Sequence, residues 1–188
     1  IYDDSDKEKI LKHAFEDLSI DGDKLMKVVK NHISNAKNEC LSPEEYKNAH
    51  IETRFIEDIC KIYQRYEDLL FASNAMDFDD IIVNTVELFK KNPDVLEYYQ
   101  KKFKYICVDE YQDTNAAQFV LTSMLAEGFR NLMVVGDDDQ SIYKFRGATI
   151  ENILGFDKEF NDSTVIKLEQ NYRSTSTILD AANAVIAN

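Results

Sequence analysis

The stretch Val108-Asp109-Glu110-Tyr111-Gln112-Asp113, preceded by the apolar run Tyr105-Ile106-Cys107, decides the fold class. Two adjacent acids stand at the end of what reads as a buried strand. Such a strand has little reason to end in consecutive carboxylates unless they hold something cationic. In open α/β sheets, ligand sites lie at the carboxyl ends of the strands. A Walker-B pair divides its work at that position: one acid holds Mg²⁺ and the next activates a water. The segment therefore reads as a nucleotide site.

Working outward, apolar strand-like runs alternate with helices. Residues 104–109 predict a first strand, Ala116 to Ala126 a helix, and Leu132-Met133-Val134-Val135 a second strand closed by Gly136-Asp137. Val165-Ile166-Lys167-Leu168 predicts a third strand, and Thr175 to Asn188 a closing helix. This alternation implies βαβ units and a parallel sheet. Upstream the texture is helical: one helix capped by Ser5 and running to Leu18, a second from about Lys24 to Lys37. Ser42-Pro43-Glu44-Glu45 is a capping-box start for a third helix reaching about Ala72. Asp77-Phe78-Asp79-Asp80 then leads into Ile81-Ile82-Val83, a helix to about Lys91, and a break at Asn92-Pro93-Asp94. The expected organisation is a helical unit over 1–75 and a partial parallel-sheet domain over 76–188. Helices dominate the whole.

Composition narrows the class. Only five glycines and two prolines in 188 residues favour long regular elements. No apolar run approaches the ~20 residues needed to span a bilayer, and Ile1-Tyr2-Asp3-Asp4 lacks the features of a signal peptide. Three scattered cysteines, Cys40, Cys60 and Cys107, argue against a disulfide framework or zinc site and for a reducing, cytoplasmic setting. The net charge of −13 counts against autonomous nucleic-acid affinity, though a local basic groove is compatible with it. Lys24, Lys27 and Lys30, at helical spacing, form either a solvated face or a small phosphate-contacting ridge.

Two further motifs follow the acids. In Val135-Gly136-Asp137-Asp138-Asp139-Gln140-Ser141-Ile142-Tyr143, the Gln140 amide suits a γ-phosphate sensor, because it both donates and accepts. Tyr143, Phe145 and Arg146 form an aromatic and basic group suited to stacking unpaired bases. In Leu168-Glu169-Gln170-Asn171-Tyr172-Arg173-Ser174, Arg173 suits neutralisation of a transferring phosphoryl group and Tyr172 suits stacking on a nucleobase. No G-x-x-x-x-G-K-[ST] phosphate loop is present.

In this order and spacing, the three motifs resemble motifs II, III and IV of the UvrD/PcrA/Rep family of superfamily 1 DNA helicases. Met76-Asp77-Phe78-Asp79-Asp80-Ile81-Ile82 is similar to that family's D-F-D-D-L segment. The resemblance implies a partial RecA-like motor domain with an inserted helical subdomain, taking ATP and Mg²⁺ and acting on single-stranded and duplex DNA. It implies Asp109 as the Mg²⁺ ligand, Glu110 as the acid that activates water, and Gln140 and Arg173 as γ-phosphate contacts. Tyr172 would pack on adenine. Tyr143, Phe145 and Arg146 would line the single-strand track, with Asp80 as a further nucleic-acid residue. Several relatives carry Trp where Phe145 stands. The phosphate loop and second motor domain would belong to the remaining domains of a parent helicase, leaving these residues inactive alone. Two other readings stand beside this one: a non-catalytic DNA- or protein-binding adaptor, and a metal-dependent nuclease built on the aspartates.

Overall fold

Asp3, and not Ser5, starts the first helix. In the computed structural model, which describes residues 1–22, 25–144 and 147–186, Asp3 caps α1 (Asp4–Asp17) by accepting the Asp6 N–H at 3.0 Å. The earlier start places Asp4 and Asp6 in the first turn, where the helix dipole favours acids. α2 (Met26–Asn38) follows, and then α3 (Pro43–Ala49) with its expected capping box: Ser42 accepts the Glu45 N–H, and the Glu45 carboxylate accepts the Ser42 N–H at 2.8 Å. The long helix expected to reach Ala72 is instead two. A turn through residues 50–55, with Phe55 at φ 63°, separates α3 from α4 (Ile56–Ala72). Tyr46 supplies the reason. It is buried in the core, with its hydroxyl 2.8 Å from His32 Nδ1 and its ring 4.2 Å from that of His50. A straight helix would carry Tyr46 away from α4, so burial outweighs helical continuity.

The apolar faces of α1, α2 and α4 close one core around Leu11, Phe15, Ile33, Ile59, Ile62 and Tyr66. Each such side chain contributes ~1.5–3 kcal/mol of burial. Asp77-Phe78-Asp79-Asp80 does not lead up to a helix that starts after Val83. It opens α5 (Phe78–Lys91) directly, because Asp77 accepts the Asp80 N–H and Asp80 accepts the Asp77 N–H, both at 2.9 Å. This is a capping box spelled with two aspartates.

Under that cap lies a cluster of buried ions. Lys37, 1% exposed, pairs with Glu67 at 2.8 Å, with Asp77 at 3.0 Å and with Asp80. Lys7 reaches Asp77 at 3.2 Å and Asp79 at 3.0 Å, while the Ser34 and Tyr66 hydroxyls donate to Asp79 and Asp77. Burial alone would push the Lys37 ammonium down; Glu67, Asp77 and Asp80 more than reverse that and hold it above its ordinary value. Burial likewise opposes the charge on Asp77, but Lys37 and Lys7 hold that carboxyl well below the usual range. For Glu67 and Asp80, burial wins and the carboxyls are raised. The cluster ties α1, α2 and α4 to the start of α5, across the boundary expected between residues 75 and 76.

Beyond α6 (Pro93–Lys102), β1 (Ile106–Val108), α7 (Ala116–Ala126) and β2 (Leu132–Val134) form one parallel unit. Ile106 lies opposite Leu132, Cys107 opposite Met133, and Val108 opposite Val134. The short helices α8 (Glu151–Leu154) and α9 (Phe156–Glu159) and the longer α10 (Ser176–Ile186) complete a helix-dominated α/β chain. The expected third strand does not form. Among the described residues, 165–168 make no backbone hydrogen bond to β1 or β2, and Val165, Ile166 and Leu168 face solvent. Apolar, β-branched content favours a strand only where a neighbour supplies the other half of the ladder. Among the described residues, no helix is long and apolar enough to cross a membrane.

Candidate active site

The two acids are placed by the end of the sheet. Val135 N–H donates to Val108 at 2.8 Å and Tyr111 N–H donates back to Val135 at 2.9 Å, so both chains turn together beyond β1 and β2. Glu110 sits between them in the left-handed region, at φ 51° and ψ 42°. For a non-glycine residue that conformation costs about 1–2 kcal/mol and needs an anchor. Tyr111 supplies it: the ring is buried edge-on against Phe156 at 5.7 Å, and one turn of 3₁₀ helix follows over Tyr111–Asp113. Burial pushes the Tyr111 phenol up to about 12. Asp109 and Glu110 are thereby left exposed at the carboxyl end of β1, with the Glu110 N–H donating to Asp109 Oδ1 at 2.9 Å. They border a cleft of about 390 Å³ lined also by Asp113, Thr114, Gln118 and Thr122.

The residue that sequence reasoning missed is Gln112. It is buried, yet both ends of its amide are engaged: Nε2 donates to Glu110 Oε2 at 2.9 Å, and Oε1 accepts the Asp137 N–H at 3.0 Å. Asp137 in turn accepts from Gln140 Nε2 at 2.7 Å and from the Asp139 N–H at 3.1 Å. Gly136 makes the approach possible, since a Cβ there would lie 2.6 Å from Gln112 Oε1 and 2.8 Å from Ile153 Cδ1. The acid pair and the expected phosphate sensor are thus joined by a continuous run of hydrogen bonds.

Against this geometry, the chain matches the family model described as UvrD/REP helicase N-terminal domain over residues 1–161. It belongs to that family. The ATP-dependent DNA helicase PcrA of Bacillus subtilis (strain 168) is 47% identical over 189 residues, covering 100% of this chain and 25% of that protein. A Staphylococcus aureus protein of the same name is 47% identical and covered over 26% of its length. The Leuconostoc citreum PcrA is 46% identical over 187 residues, covering 99% of this chain and 25% of that protein. The chain spans about a quarter of the length of the curated relatives it matches.

In this UvrD/REP helicase segment the remaining expected site residues are placed unequally. Tyr143 is exposed on the loop after Gln140, while Phe145 and Arg146 lie outside the described residues, as does Lys24. Gly147, at φ 86°, closes that loop against Asn38 of α2, which also accepts from the α7 cap Asn115 at 2.8 Å. Tyr172 is 92% exposed. The Arg173 N–H donates with that of Ser174 to Asn171 Oδ1; among the described residues its side chain forms no ion pair and no hydrogen bond to Asp109 or Glu110. Asp80 corrects an expectation: it is buried under Lys37, where it caps α5, and offers no carboxylate to a nucleic acid. Within Asp77-Phe78-Asp79-Asp80 the exposed member is Phe78, at 63%. Lys30 is engaged by Asp4 and Glu8, which weakens the lysine-ridge reading.

The donor set fits a nucleotide-bound magnesium ion. Mg²⁺ keeps several waters and takes one or two carboxylates together with substrate phosphates. Asp109 offers an exposed hard oxygen at the cleft's edge, and Asp113 Oδ1 is buried there without a hydrogen bond among the described residues. The aspartates of the nuclease reading do not join that set, because Asp77, Asp79 and Asp80 are committed to Lys7 and Lys37.

Proposed function

We propose that the chain supplies the hydrolytic and coupling half of a RecA-like ATP site, within a cytoplasmic helicase that moves on single-stranded DNA and unwinds duplex. The supporting observation is the hydrogen-bonded path from Glu110 through Gln112 and Asp137 to Gln140. The relatives that span the whole chain are named ATP-dependent DNA helicases. When bound, Mg²⁺ supplies charge neutralisation across the phosphates. Asp109 holds that ion, and Glu110 orients the attacking water and accepts its proton. Gln140 reads the γ-phosphate, Arg173 contacts it, and Tyr172 stacks on adenine. Tyr143, with Phe145 and Arg146, faces the strand. Phe78 takes the place expected for Asp80, offering a ring on which a base can stack. Residues 1–75 act as the inserted helical subdomain and 76–188 as part of the motor. A non-catalytic adaptor has no use for an acid pair wired to a phosphate sensor.

The test is steady-state ATP turnover by the full-length protein with Mg²⁺, with and without single-stranded DNA, beside Glu110→Gln and beside residues 1–188 alone. DNA-stimulated turnover that falls ~10²–10⁴-fold in Glu110→Gln is expected, from loss of the general base, and none from the isolated segment. Undiminished turnover in the variant would refute the assignment of Glu110, and turnover by the segment would refute the need for a separate phosphate loop.

A further inference from the structure

Gln112 is 1% exposed. A buried amide of this kind is costly to leave half-satisfied. Its two partners belong to different motifs: Glu110 on the donor side at 2.9 Å and the Asp137 N–H on the acceptor side at 3.0 Å. Its main-chain carbonyl accepts from the Ser141 hydroxyl at 3.4 Å, and Gly136 packs directly on its Oε1. Three members of the 136–141 loop therefore touch this one residue. Its bond to Oε2 of Glu110 also settles that carboxylate's orientation and leaves Oε1 for another partner.

We infer that Gln112 is a positioning residue: it aims the Glu110 carboxylate and makes that aim depend on where the 136–141 loop sits. A shift of the loop moves the Asp137 N–H. Gln112 then follows it and withdraws from Glu110, or stays and leaves its Oε1 unpaired. The state of the loop is thereby transmitted to the acid without passing through the nucleotide. This deepens the reading of the site as an ATP site and rests on it.

The full-length protein tests this with two variants of similar size. Gln112→Met fills the space and removes both hydrogen bonds. DNA-stimulated kcat is expected to fall about tenfold, the rate equivalent of one lost buried partner, with the KM for ATP little changed. Gln112→Glu keeps the size but loses the amide N–H and cannot donate to Glu110 Oε2. Its DNA-stimulated kcat is expected to fall as in Gln112→Met, with the KM for ATP again little changed. A space-filling role would move melting temperature alone. Unchanged kcat in either folded variant overturns the inference while leaving the ATP-site reading intact. Where Gln112→Met fails to fold, the kcat of Gln112→Glu decides by itself. Absence of DNA-stimulated turnover in the unsubstituted protein overturns the underlying reading and this inference together.

Discussion

The helical region up to residue 75 and the strand region beyond residue 104 are finished differently. In the first, α1, α2 and α4 close a contiguous apolar core and lock it to α5 through Lys7, Lys37 and their carboxylates. In the second, the buried apolar residues among those described are Tyr111, Ala117, Ala126 and Ala148, and Met133 in β2 is 55% exposed. Two paired strands are marginal on their own. The contrast separates two tasks: stability is concentrated where the core closes, and the proposed chemistry stands where side chains are left open at the sheet's end. The open apolar face of β1 and β2 also fits a chain that covers only a quarter of its relatives' length.

The largest expected effect lies in the first region. Lys37→Ala leaves Glu67, Asp77 and Asp80 facing one another without their cation, and breaking a buried pair in this way costs ~3–5 kcal/mol. Denaturant unfolding measures it, and a loss below about 1 kcal/mol, the scale of surface pairs, would erase the contrast. The next effect is acid sensitivity. Asp77 is held low, so its contribution is present above its unfolded pKa and is lost as pH falls through the folded value. Glu67 and Asp80 are raised, so their contributions carry the opposite sign: present below the unfolded pKa and lost as pH rises through the folded one. The melting temperature is expected to drop below about pH 4, with a shallower slope in Asp77→Asn. Equal slopes would remove Asp77 from the account. The smallest effect belongs to the second region: Leu168→Ser, at a side chain 85% exposed, is expected to change stability by less than ~0.5 kcal/mol. A large loss there would mean that residues 165–168 are packed after all.

What the sequence made legible follows the range of the interactions involved. α7 has the expected span, and its start is marked locally by Asn115 and Gln118, a cap spelled three residues apart; the Ser42-Pro43 start was equally local. Asp77-Phe78-Asp79-Asp80 reads as lying ahead of the helix and not at its start, because a capping box made of two aspartates lacks the usual Ser/Thr-x-x-Glu spelling. The break between α3 and α4 left no local mark: helical spacing continues through Phe55, Ile56 and Ile59, and the turn answers to Tyr46 seeking the core. Asp109, Glu110 and Gln140 stand out as a pattern of types at strand ends. Gln112 did not, since its burial and both its bonds depend on a loop whose Asp137 lies 25 positions downstream. Its setting between Glu110 and Asp113 was the available signal.

Native-state hydrogen exchange on residues 1–188 tests the division most directly. Amides of α1, α2 and α4 are expected to exchange only through global unfolding, while those of β1, β2 and the segment after residue 164 exchange through local openings of much lower free energy. Protection of β1 and β2 equal to that of α4 would contradict the account, because the strand region would then be as complete as the helical one.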